Sequence, residues 1–178
     1  TLTRAGFYDP SEFDFDQLTH EIREDARKAF TAIRKAHPNE KINAFALFSD
    51  DSVMTIVHVG NSDTARLKKG DSEDYLWNSA EWSYSEGVEF LDIAYRLILT
   101  QQQDRPTEIE FEDFKSGFIE SCVTALEELD EEGFFGTGAG REDVIVIFQI
   151  SDSDYLDDAI SRLNTPAMYE RFREWYES

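Results

Sequence analysis

Between residues 16 and 36 apolar side chains recur at intervals of three and four (Leu18, Ile22, Ala26, Ala29, Phe30, Ile33), with charged residues between them. That spacing puts one apolar stripe along an amphipathic helix. His37-Pro38 ends it, because proline disfavours helical backbone at the residue before it. The period then changes. Ile42 to Phe48 and Val53 to Val59 are β-rich runs around the polar Asp50-Asp51-Ser52, and they predict a hairpin. Residues 60–74 are polar and start at a glycine, which predicts a loop or a short irregular helix. Tyr75-Leu76-Trp77 is a candidate third strand, with Asn78 or Ser79 capping a helix after it.

Residues 88–99, VEFLDIAYRLIL, are apolar nearly all round, as in a helix buried on more than one side. Gln101 to Pro106 reads as a linker. Helical spacing returns over 111–132 in Phe111, Phe114, Phe118, Cys122, Ala125, Leu126 and Leu129, and Gly133 follows as a C-terminal cap. The unbroken apolar run Val144 to Ile150 predicts a strand at the centre of a sheet covered on both faces. Ser151 to Asp154 then caps a short helix around 154–163. Thr165-Pro166 opens a last helix bearing Met168, Phe172, Trp175 and Tyr176. This order predicts an α+β (mixed α/β) fold: a small, mainly antiparallel sheet of three to five strands with helices packed on it. The 178 residues suit a single domain over 1–178.

Charge shifts attention from fold to partner. Seventeen Lys and Arg face 38 Asp and Glu, a formal charge of −21, while 40% apolar residues and fourteen Phe exclude a disordered acidic chain. Such a field repels nucleic acid and anionic membranes and complements a basic protein. Solubility alone is the plainer explanation of the same charge. The imbalance is uneven, with 12 basic and 19 acidic residues over 1–105 against 5 and 19 over 106–178. A basic partner is therefore expected on the C-terminal half. One cysteine, Cys122, excludes an internal disulfide and falls on an apolar helix face. No apolar run approaches the ~20 residues of a membrane span and no leader is visible, so the expectation is a soluble, cytoplasmic protein.

Candidate chemistry is sparse. Gly136-Thr137-Gly138-Ala139-Gly140-Arg141 has the look of a phosphate cradle, but such cradles follow a strand and open a helix, whereas here a helix runs in and a strand runs out. A flexible connection is the expected role. His20, His37 and His58 are scattered, and Asp152, Asp154, Asp157 and Asp158 lack the glycine and terminal Glu of an EF-hand. No metal, cofactor or catalytic residue is assigned. Trp77-Asn78-Ser79-Ala80-Glu81-Trp82 is the most distinctive hexapeptide: Trp77, Glu81 and Trp82 are a possible pocket for a small hydrolase or transferase, or aromatic core anchors. The run Glu127-Glu128-Leu129-Asp130-Glu131-Glu132 stands at a helix C-terminus, where the macrodipole disfavours negative charge. Glu127, Glu128, Asp130, Glu131 and Glu132, with Asp152 and Asp154, are thus candidates for docking a basic protein.

Phe45 to Asp51, Tyr75 to Trp82, Ala125 to Gly136 and the Ile150-Ser151-Asp152 strand ending together resemble an uncharacterised bacterial family, domain of unknown function four-three-zero-three. The likeness runs from the first helix to about residue 176, and its most specific element is Trp77-x-x-Ala80-Glu81-Trp82. The resemblance implies no catalytic residues. By analogy with small acidic proteins encoded beside toxins, it implies an immunity or antitoxin partner of a basic toxin domain.

Overall fold

The computed structural model describes residues 13–91, 108–151 and 153–178. Helix α1, Phe15–Ala36, starts where the Asp14 carboxylate accepts the Gln17 N–H at 2.8 Å. It buries the predicted stripe Leu18, Ile22, Ala26, Ala29, Phe30 and Ile33. Strands β1, Ile42–Ser49, and β2, Val57–Ser62, form the expected antiparallel hairpin. Beyond it lie α2, Asp63–Lys69, and α3, Asp74–Trp77. The long helix α4, Glu108–Glu131, leads through the single-turn α5, Ala139–Glu142, into β3, Ile145–Ile150. Two helices close the chain, α6, Asp157–Leu163, and α7, Pro166–Tyr176.

The sheet order is β2-β1-β3. β1 pairs antiparallel with β2 and parallel with β3, so the sheet is mixed. The alternation of β1 divides two cores. Phe45 and Leu47 face the larger one with Phe30, Phe118, Leu126, Val146 and Phe148, while Ala44 and Ala46 face the smaller one with Trp77, Ile147, Ile160 and Phe172. Both layers share one sheet, and the result is a single α+β domain.

Two glycines set close approaches. A Cβ on Gly117 would stand 2.4 Å from the Phe15 ring, so any larger residue there would have to push that ring aside where α4 seats against the start of α1. Gly133, at φ 77°, ends α4 in a Schellman motif: its N–H donates to Asp130 O at 2.8 Å and the Phe134 N–H donates to Leu129 O at 3.0 Å.

Several expectations are corrected. β3 is covered on both faces as predicted, yet it stands at the sheet edge and β1 holds the centre. Its outer edge is covered by a side chain: the Asn164 amide accepts from Val146 N–H at 3.0 Å and donates to Val146 O at 2.7 Å, doing for one residue what a neighbouring strand would do. Tyr75 to Trp77 forms a helix, with its apolar side chains turned into the smaller core. β2 persists through Ser62, whose hydroxyl accepts the Ala65 N–H at 3.1 Å and starts α2 inside the stretch expected to be irregular. Helix α6 begins at Asp157 with Leu156 as its cap residue, because Tyr155 is drawn inward to donate its hydroxyl to Trp77 O at 3.1 Å, and so Asp154 caps nothing. Val88–Leu91 is a 3₁₀ turn; the rest of the apolar run, the 101–106 linker and Asp152 lie outside the described residues.

The last helix packs within the chain. Phe172 is buried, the Trp175 indole N–H donates to Asp74 at 2.8 Å, and Arg171 holds Glu73 through two hydrogen bonds at 3.0 and 2.5 Å. The indole pairing holds the Asp74 carboxyl below its ordinary pKa. Burial pushes the Tyr155 phenol up to about 12.

Candidate functional site

The acidic run of α4 is where the structure adds most. Four of its five acids meet an arginine from another element. Glu127 takes two hydrogen bonds from Arg162 of α6 at 2.9 and 2.7 Å. Glu128 pairs with Arg23 of α1 at 2.8 Å, and Glu132 with Arg27 at 2.5 Å. Asp130 accepts from Arg141 of α5 at 2.7 Å. These acids sit against an unfavourable helix dipole because they tie the end of α4 to α1 on one side and to α5 and α6 on the other. Arg162 also grips Glu120 with two bonds at 2.8 Å; those bonds, and then the ones to Glu127, raise its own pKa and lower that of Glu120. Glu131 alone in the run is exposed with no ion pair or hydrogen bond among the described residues.

The glycine segment joins the same shelf. Glu127, Asp130, Glu131, Gly136, Gly138 and Arg162 line a cleft of about 430 Å³. Gly136 and Gly138 have φ of 119° and 53°, backbone that favours glycine. The segment is a helix-to-strand connection as expected, but it is fastened rather than free. Arg141, 8% exposed, donates to Asp130, to Val144 O at 2.6 Å and to Leu163 O at 2.5 Å. Both guanidiniums of the shelf are thus engaged by carboxylates.

The two tryptophans both lie in the smaller core. Trp77 is fully buried, stacks edge-on with Phe172 at 5.3 Å, and donates its indole N–H to Glu73 at 3.3 Å. Trp82 is also buried in the smaller core, with its indole N–H facing no acceptor among the described residues. Glu81 is exposed and pairs with Lys69. Asp154 is exposed and lies apart from the α4 run in sequence, ahead of α6.

Two arrangements have no signal in the sequence. The first is a polar knot at the β2 end: the Tyr84 hydroxyl donates to Glu40 at 2.5 Å, the Ser62 hydroxyl donates to the same carboxylate oxygen, and His37 stacks on Tyr84 at 3.8 Å while facing Glu86 at 2.9 Å. The two hydroxyls keep Glu40 ionised below the usual carboxylate range. Nearby His58 is buried and donates Nε2–H to Glu86 O at 2.6 Å; burial lowers its pKa. These residues come from three separate segments, 37–40, 58–62 and 84–86, so no local motif announces them. The second is a cleft of about 510 Å³ at the carboxyl ends of β1 and β3, lined by Phe48, Asn78, Ser79, Gln149, Ser151 and Ser153. The distinctive hexapeptide reaches it through Asn78 and Ser79 rather than through its tryptophans.

No group of three or more metal-ligating side chains is assembled among the described residues, and no helix there is long and apolar enough to cross a membrane. Cys122 is buried within α4 against the larger core, which pushes its thiol pKa well up.

Fold and surface together define a small α+β protein held by a mixed three-stranded sheet and a ring of cross-helix ion pairs. The chain belongs to the family described as Domain of unknown function (DUF4303), whose model matches residues 22–165. No curated protein and no solved structure matches it.

Proposed function

We propose that the protein is a non-enzymatic binding protein that docks a basic protein, in the manner of an immunity or antitoxin partner neutralising a basic toxin domain in the cytoplasm. The observation that carries this reading is how the cations are used. Of the fourteen Lys and Arg among the described residues, eleven are in ion pairs within the chain. Exposed acids such as Glu131, Glu142, Asp154, Glu170 and Glu174 have no such partner among the described residues. The charge offered to an approaching molecule is therefore more one-sided than composition alone conveys, and it favours steered association with a cation-rich surface. The docking centre on this reading is the end of α4. Glu127, Glu128, Asp130 and Glu132 are each largely offset by an arginine, and Glu131 has no such partner among the described residues.

The test is co-expression with the product of the adjacent gene in the native host. Protection from growth arrest and a complex whose association slows with salt are expected. Glu131→Lys combined with Glu142→Lys should slow that association several-fold at low salt without altering the melting transition. A native neighbour that neither binds nor is neutralised would overturn the reading.

A further inference from the structure

We propose that the cleft at the carboxyl ends of β1 and β3 binds an uncharged, acceptor-rich ligand of the size of one sugar ring or nucleoside. Its position is the first argument. In sheets with parallel strands, ligands settle in the crevice beyond the strand carboxyl ends, where the connections part. Here β1 turns back into the hairpin while β3 runs on toward α6, and the cleft opens between them. Phe48 and Gln149 are register partners, so their side chains stand together on the same sheet face.

The lining gives the ligand's chemistry. In a chain of net charge −21, no described residue lining this cleft is charged. The two side-chain amides are both turned the same way. Gln149 Oε1 accepts from the buried Ser79 hydroxyl at 3.2 Å, and Asn78 Oδ1 accepts the Ala80 N–H at 3.2 Å. Each carbonyl end already takes one hydrogen bond, and both NH₂ groups are left to offer as donors. The Ser151 and Ser153 hydroxyls flank these donors, and half-buried Phe48 supplies an apolar surface. Donors around an aromatic suit a ring bearing carbonyl or hydroxyl acceptors. An anion would find the same donors but no cation among the described lining residues, and would enter against the field of the whole molecule.

Titration followed by amide chemical shifts tests this, with N-acetylglucosamine and uridine as neutral probes and glucuronate and uridine monophosphate as charged counterparts. At least one neutral probe should produce saturable shifts centred on Phe48, Asn78 to Ala80 and Gln149 to Ser151. Its charged counterpart should bind about tenfold more weakly. Gln149→Met retains volume and removes the donor, and should weaken binding about tenfold, although it also takes the acceptor from the Ser79 hydroxyl. Ser151→Ala serves the same purpose should that variant melt early. Absence of saturable shifts with both neutral probes, shifts centred elsewhere, equal binding of the charged forms, or unchanged affinity in Gln149→Met and Ser151→Ala would each overturn the proposal.

Discussion

The end of α4 and the strand-end cleft are opposites in charge, and the contrast inverts what each looks like in one dimension. The α4 run is six residues of which five are acidic, and it stands out in the sequence as surface. In three dimensions most of it is scaffolding, with Glu127, Glu128, Asp130 and Glu132 each held by an arginine. The strand-end cleft is assembled from Phe48, Asn78, Ser79, Gln149 and two serines, none of which attracts notice alone. A charge run marks a potential, and only its surroundings decide whether that potential is used inside the molecule or outside it.

The largest expected effect tests the scaffolding. Arg141→Ala removes a buried guanidinium and strands Val144 O, Leu163 O and Asp130, and should cost about 3 kcal/mol in urea unfolding. A loss within error would mean that the glycine segment is held by other contacts. Asn164→Ala unpairs both backbone groups of Val146 on the β3 edge, at a cost of about 2 kcal/mol, with increased self-association by light scattering.

Arg162→Ala should cost less, about 1 kcal/mol, since Glu120 and Glu127 regain solvent when it leaves. Ser151→Ala, by contrast, should leave stability nearly unchanged, because its hydroxyl faces the cleft and holds no hydrogen bond among the described residues. Were the order of these two reversed, the division between scaffold and site would fail.

The smallest effect is a titration. The folded pKa of Glu120 is depressed by Arg162, so its contribution is present above the unfolded carboxylate value and is lost as pH falls through the folded one. Glu120→Gln should therefore flatten the acid limb of stability against pH relative to the parent. A parallel acid limb in the variant would show that the pair contributes nothing.

Much of the fold was legible because it rests on periodicity. The α1 stripe, the hairpin, the 111–132 face, the Gly133 cap and the Thr165-Pro166 helix start each involve residues close in sequence. Errors came where a distant contact outweighed local preference. Tyr75 to Trp77 carries strand-forming aromatics, yet the smaller core takes Trp77 from a helix. β3 has the apolar character of a central strand, but Asn164 and the α6 packing let it stand at the edge. The hexapeptide lines the strand-end cleft with Asn78 and Ser79 while both of its tryptophans are buried, since large aromatics gain most from burial.

The sequence by itself determined the class and the sign of the molecule's field, because burial pattern and net charge are sums over the chain. Tertiary structure decided which acids remain available, which strand is central and where a ligand-sized cleft opens. Those outcomes depend on pairings such as Asp130 with Arg141 and Phe48 with Gln149, in which residues far apart along the chain meet only after the helices and the sheet have packed.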